Sequence, residues 1–180
     1  MADEFPSAYL RMSTHIRRLI NIQSRKTLNR YKKIDVHVIW GDTGAGKTRT
    51  VFGKHGPENV FIPTYSESAN KFWFDNYNGQ SVLLINEFYG QARVGYMLEL
   101  LDNYRKTLEV KGDTVVSAWD TIYITSNCHP SEWYHNWENI PDKPMQALCR
   151  RLDSITEITA VHNDSVTDFF AKPSLNLEVG

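Results

Sequence analysis

The sequence predicts an α/β fold: a mostly parallel sheet flanked by helices, preceded by a small helical segment. Three observations lead there. Short apolar runs alternate with helix-spaced stretches from residue 34 to residue 161. The first run, Ile34-Asp35-Val36-His37-Val38-Ile39-Trp40, alternates and then turns continuously apolar, as a buried strand does. It leads directly into a glycine-rich turn, after which residues from Lys47 through Val51 and Phe52 can open a helix.

That turn, Gly41-Asp42-Thr43-Gly44-Ala45-Gly46-Lys47-Thr48, fits the pattern G-x-x-x-x-G-K-[ST] without a mismatch. Strand, glycine loop and helix are the context a phosphate-binding P-loop requires. Glycines let backbone N–H groups converge on phosphate oxygens, and the helix N-terminus adds partial positive charge. Lys47 is expected to reach the β- and γ-phosphates of ATP, and the Thr48 hydroxyl to ligate Mg²⁺. A turn that merely joins strand to helix would not need all of these residues.

Bulk composition allows one domain with a full core: 180 residues, 41% hydrophobic. Cys128 and Cys149 have neither metal-site nor disulfide spacing, which fits a reducing compartment. No apolar run approaches the roughly 18 residues a membrane span needs, and no signal peptide is evident. A soluble intracellular protein without membrane contact is expected. The net charge of −1 conceals an asymmetry. Residues 1–33 hold eight Lys/Arg against Asp3 and Glu4, while the remainder is acidic. Such a basic segment is either a solvated helix face or a contact for nucleic-acid phosphates or an acidic neighbouring subunit.

Taken in order, residues 1–33 read as helical, with Ser7 as N-cap and Met12, Ile16, Leu19 and Ile20 on one face. They have too little apolar material for a core of their own. Residues 59–62 read as a short strand ended by Pro63. Residues 64–80 are polar and aromatic; Phe72-Trp73-Phe74 suits core or subunit packing better than base stacking. Val82-Leu83-Leu84-Ile85 reads as a fully buried strand. Val94, Met97, Leu98 and Leu101 form a helical stripe, and residues 107–118 a hairpin around Lys111-Gly112-Asp113. Residues 121–125 form another strand, ending on Ser126-Asn127. A helix is expected over 141–152 and a last strand over 155–161. The tail 162–180 is weakly patterned.

Three further constellations carry chemistry. The strand ending in Asn86-Glu87 has the Walker B arrangement, an apolar strand holding a polar pair beside the P-loop. Glu87 is the candidate to orient and deprotonate an attacking water. Asn86 takes the position where an Asp commonly helps hold Mg²⁺; its amide oxygen can accept from a metal-bound water but brings no charge. Asn127, at its strand tip, is expected between the Walker B acid and the γ-phosphate. Arg150-Arg151, expected on the helix after that strand, suit transition-state phosphate charge. Surface arginines near a helix end are the plain alternative.

The order of these motifs looks like that of a superfamily 3 helicase. More narrowly, the chain resembles the replication-associated proteins of circular single-stranded DNA viruses, circoviruses in particular. The residues that carry the resemblance are Val36 through Gly41 into the P-loop, Ile85-Asn86-Glu87-Phe88-Tyr89-Gly90, Val110-Lys111-Gly112, Ile124-Thr125-Ser126-Asn127 with Pro130-Ser131-Glu132-Trp133-Tyr134, and Ala147-Leu148-Cys149-Arg150-Arg151-Leu152. It spans about residues 7–160.

The resemblance implies an AAA+-type ATPase core over 34–161 that assembles as a ring, usually a hexamer, around single-stranded DNA and unwinds duplex in the host nucleus during rolling-circle replication. It implies oligomerisation through 1–33, backbone contact by Lys111 with Gly112 at the hairpin tip, a sensor role for Asn127, and an arginine finger in trans from Arg150 or Arg151. Two departures stand out. Asn86 replaces an Asp found in many relatives. The paired histidines and nucleophilic tyrosine of the nicking domain in full-length relatives are missing, so a helicase fragment without nicking activity is expected. The competing classes are a P-loop kinase or phosphotransferase and a nucleotide-gated assembly module without motor action.

Overall fold

The computed structural model describes residues 31–111, 113–134 and 142–159. Its centre is a parallel sheet of five strands in the order β2-β5-β8-β1-β9. These are β1 (Asp35–Trp40), β2 (Val60–Phe61), β5 (Val82–Ile85), β8 (Thr121–Ser126) and β9 (Ser154–Glu157). The α1 helix (Lys47–His55) follows the P-loop, α2 (Val94–Leu100) follows the Walker B strand, and α3 (Asp142–Cys149) precedes β9. Among the described residues, no helix is long and apolar enough to cross a membrane.

Side chains alternate across a strand, so each central strand feeds two cores. Val36, Val38, Leu83, Ile85, Ile122 and Ile124 point to one face, where Met97 and Leu100 of α2 and Leu148 of α3 pack. Ile39, Val82, Leu84 and Tyr123 point to the other, against Val51 of α1. This is why β5 is apolar at every position: both of its faces are covered. The expected parallel sheet with helices on both sides is present.

Two antiparallel hairpins lie outside the sheet. The β6–β7 pair (Thr107–Val110 with Asp113–Val116) matches the predicted hairpin. The β3–β4 pair (Thr64–Ser66 with Lys71–Trp73) falls where the sequence suggested only a polar, aromatic stretch. Its strands are three residues each, and Asn70 turns between them at a φ of 51°. Phe72 and Phe74 are buried, and Phe74 stacks on Trp119 at 5.7 Å, so this aromatic run is mainly core.

Two boundaries differ from expectation. The helix predicted over 141–152 ends at Cys149, so Arg150 and Arg151 lie in the turn beyond it rather than on it. The turn closes through Arg151 N–H to Leu148 O and Leu152 N–H to Cys149 O, both three-residue bonds that tighten a helix end. The last strand covers Ser154–Glu157. The helical segment expected over 1–33 lies outside the described residues up to residue 30, as do Gly112 and the tail 162–180.

Candidate functional site

Gly41 starts the P-loop where β1 passes between β8 and β9. Its amide donates to Ser126 O of β8 at 3.2 Å, and Ile158 N donates to Trp40 O at 2.8 Å on the other side. A Cβ on Gly41 would sit 2.0 Å from Ile158 O, so only glycine passes there. Gly44 and Gly46 adopt φ of 84° and 86°, and the space above both is open. Gly46 caps α1 without a side-chain hydrogen bond. The loop is thus open where it meets the first turn of α1, whose N–H groups suit phosphate oxygens.

Lys47 folds back over this loop and is 7% exposed. Its ammonium donates to Gly41 O and Asp42 O, both at 2.7 Å, and to Asn127 Oδ1 at 2.8 Å. All three protons of the cation are used. A buried ammonium held by neutral oxygens suits exchange of one of them for a phosphate oxygen.

Strand order brings the other groups to the same edge. β8 lies between the P-loop strand and the Walker B strand, so Asn127 follows the central tip and Asn86 the next one. The Thr48 hydroxyl donates to Asn86 Oδ1 at 2.6 Å, and the Thr125 hydroxyl donates to the same oxygen at 2.9 Å. Asn86 thus orients Thr48 while the lone pairs of the Thr48 oxygen remain for a cation. Thr48 and Asn86, both oxygen donors, would suit a hydrated Mg²⁺.

Glu87 is exposed and lies at a φ of 52°, a conformation that costs an L residue roughly 1–2 kcal/mol. Neighbours hold it there. Its amide donates to Thr125 Oγ1 at 3.0 Å, and Phe88 N donates to Thr125 O at 2.7 Å. Phe88 is fully buried, 4.9 Å edge-on from Trp133. The backbone flip sends Phe88 into the core and leaves the Glu87 carboxylate in the open.

Several residues support the site in ways the sequence reading did not assign. Thr125 ties Asn86 and Glu87 to β8; a polar residue closing an apolar strand was its signal. Trp133 Nε1 donates to Ser126 Oγ at 2.9 Å, bracing the segment that carries Asn127. Tyr134 donates to Ala92 O at 3.0 Å, and burial pushes its phenol pKa up. Gln91 accepts from Tyr89 N at 2.9 Å through Oε1 and donates to Glu87 O at 3.4 Å.

The arginine pair divides. Arg151 donates to Ala147 O at 3.0 Å and lies 3.8 Å from Asp102 Oδ1. Arg150 is exposed, and among the described residues its side chain has no hydrogen-bond or ion-pair partner. It borders a shallow open groove with Met145, Gln146 and Cys149. Neither arginine bonds to residues 41–48. Lys111 is exposed at the β6–β7 turn, and its amide donates to Asp75 Oδ1 at 2.6 Å.

No family model matches the chain. Among solved structures, closed-state Hsp104 with ATPyS and casein is similar at a TM-score of 0.48 and 23% identity, covering 75% of this chain and 28% of that one. Among curated proteins, the replication-associated proteins of porcine circovirus 1 and porcine circovirus 2 are each 35% identical over 155 residues, 86% of this chain and 47% of theirs. That of canary circovirus is 30% identical over 177 residues, 98% of this chain and 56% of its own. The chain spans about half the length of these relatives. It is homologous, over most of its length, to the replication-associated proteins of circoviruses.

Proposed function

We propose that the chain is an ATP-driven DNA motor, a helicase module of a viral replication initiator acting in the host nucleus. The observation that carries the reading is the convergence of Lys47, Thr48, Asn86 and Asn127 at one sheet edge, with Glu87 held beside them in a left-handed turn. Homology to replication-associated proteins supports DNA as the partner.

In this reading, the open loop Gly41-Asp42-Thr43-Gly44-Ala45-Gly46 and the N-terminus of α1 bind the phosphates. Lys47 exchanges a carbonyl for a phosphate oxygen. Thr48, oriented by Asn86, would hold Mg²⁺, which would neutralise phosphate charge when bound. Glu87 accepts the proton of the attacking water, and Asn127 orients that water while touching Lys47. Arg150 is exposed, so it is the better candidate to reach a neighbouring subunit's nucleotide; Arg151 is held within its own chain. Lys111 and Gly112 contact the backbone of single-stranded DNA. Residues 1–33 drive assembly of the 34–161 ATPase domains into a ring, hexameric by analogy with the resembled family, around single-stranded DNA.

The test is phosphate release by the wild-type chain and by Lys47→Ala, with and without single-stranded DNA, alongside strand separation on a forked duplex. The reading expects wild-type turnover that rises with DNA, measurable unwinding, and none of either in Lys47→Ala. Transfer of phosphate to a small acceptor, with no DNA response, would favour a kinase. Rings that form on ATP yet never separate strands would favour an assembly module.

A further inference from the structure

The β3–β4 hairpin touches both working ends of the molecule. At one end it meets the loop that carries Glu87. The Tyr65 hydroxyl donates to Gln91 O at 2.6 Å, and Asn70 Oδ1 accepts from Arg93 N at 3.0 Å. Gln91 in turn holds the Glu87 carbonyl. At the other end it meets the β6–β7 hairpin. Asp75 Oδ1, just past β4, accepts from the Lys111 amide at 2.6 Å. Lys71 pairs with Glu109 at 2.5 Å and lies 4.2 Å over the Trp73 ring. Between the two ends, Tyr65 and Phe72 are paired across the hairpin, and Phe72 N donates to the Tyr96 hydroxyl at 3.2 Å.

From this we infer that the β3–β4 hairpin is the coupling strut between the DNA hairpin and the hydrolytic acid, with Tyr65, Asn70 and Asp75 as positioning residues. The inference rests on the motor reading above. The physical argument is continuity. Lys111 sits on a two-stranded ribbon that lies outside the main sheet, and two bonds fix its tip to β4 and the residues after it. A backbone load on Lys111 therefore pulls on β4 first. That hairpin is short and closely paired, so displacement passes to β3 and to the carbonyl of Gln91. Glu87 occupies a costly backbone conformation whose neighbours hold it, so its carboxylate responds to small shifts of that loop. Hydrolysis should then depend on DNA through residues that touch neither DNA nor nucleotide.

The experiment measures hydrolysis without DNA and at saturating oligonucleotide, with oligonucleotide affinity recorded separately, in the full chain. The first variant is Tyr65→Phe with Asn70→Gly, which removes both bonds to the Glu87 loop while keeping the ring and the left-handed turn. Basal hydrolysis and DNA affinity should stay near wild type. The ratio of stimulated to basal rate should fall by about 2- to 30-fold, the range coupling contacts carry. Tyr65→Phe alone should show part of this loss and serves if the double variant folds poorly. At the other end, Asp75→Ala should lower the ratio, and Asp75→Asn, which keeps an acceptor oxygen, should restore it. Wild-type stimulation with unchanged ratios in every variant overturns the strut and leaves the motor reading standing. A wild-type enzyme that DNA does not stimulate overturns both. Equal loss in Asp75→Asn and Asp75→Ala removes Asp75 from the strut.

Discussion

The ammonium of Lys47 donates to Asn127 Oδ1 at 2.8 Å, joining the P-loop to the tip of the central strand. Eighty residues separate them in sequence. The bond exists because β8 is inserted between β1 and β5, so that whatever follows Ser126 faces the P-loop. Lys47→Ala should abolish hydrolysis, since the phosphate-facing ammonium has no substitute among the groups joined here. Asn127→Ala leaves Lys47 its two carbonyl partners, so nucleotide affinity should change far less than turnover. Turnover should drop on the order of 10²-fold, as for loss of one preorganised polar group. Parallel titration of ATP binding and steady-state phosphate release separates the two effects. Equal loss in both would make Asn127 a binding residue only.

Glu87→Gln should trap bound ATP. The amide keeps size and shape, and the φ of 52° is set by the Thr125 and Phe88 contacts rather than by the carboxylate. Removing a general base costs roughly 10²–10⁴-fold in rate. Asn86→Asp retains an oxygen that accepts from Thr48 and Thr125, and adds charge near the cation site. Activity should hold or rise, with a lower Mg²⁺ requirement. Magnesium titration of both variants checks this. A dead Asn86→Asp beside a normal Glu87→Gln would reverse the two assignments.

Gly90 offers a stability test of the same loop. It lies at a φ of 90°, and an added Cβ would fall 1.5 Å from Trp133 O. Left-handed strain and overpacking together should cost Gly90→Ala about 2–5 kcal/mol. Gly53 is the control: it lies inside α1 with nothing near an added Cβ. Gly53→Ala should gain roughly 0.5–1 kcal/mol of helix stability. Denaturant unfolding of the two variants should move in opposite directions. A neutral Gly90→Ala would mean that the segment at Trp133 yields easily, and that Trp133 does not brace the site.

The P-loop and the Walker B strand were legible because they are local: a glycine pattern and a continuous apolar run each fix their own backbone. Asn127 was legible as a polar strand tip near the γ-phosphate, but its partner was not. Its contact with Lys47 depends on strand order, which no local pattern encodes. The supporting contacts of Thr125 and Trp133 were missed for the same reason; their partners lie across strands or loops. The β3–β4 hairpin was missed because Thr64-Tyr65-Ser66 has no apolar alternation and its turn uses Asn70 rather than glycine. The helix end misplaced at Leu152 reflects an apolar spacing that continues through a tightened turn.

That turn sets the last test, which separates Arg150 from Arg151. Arg151 holds a helix-end carbonyl and faces Asp102, so Arg151→Ala should lose about 1–2 kcal/mol of stability. Arg150 is exposed without a partner among the described residues, so Arg150→Ala should change stability by no more than about 0.5 kcal/mol. If Arg150 serves a neighbour's nucleotide, its loss should still lower hydrolysis steeply, because such arginines are worth roughly 10³–10⁵ in rate. A subunit-mixing experiment then decides whether it works in trans. Lys47→Ala subunits keep the arginine and lose the P-loop; Arg150→Ala subunits do the reverse. Each is inactive alone. A mixed assembly contains interfaces that pair an intact P-loop with an intact Arg150, so activity should partly return, and only at concentrations that support assembly. Removing residues 1–33 should abolish the recovery, since assembly is assigned to them. Recovery with Arg151→Ala in place of Arg150→Ala, and none with Arg150→Ala, would move the role to Arg151. If both pairs assemble and exchange subunits yet no activity returns at any ratio, the arginines act within their own chain.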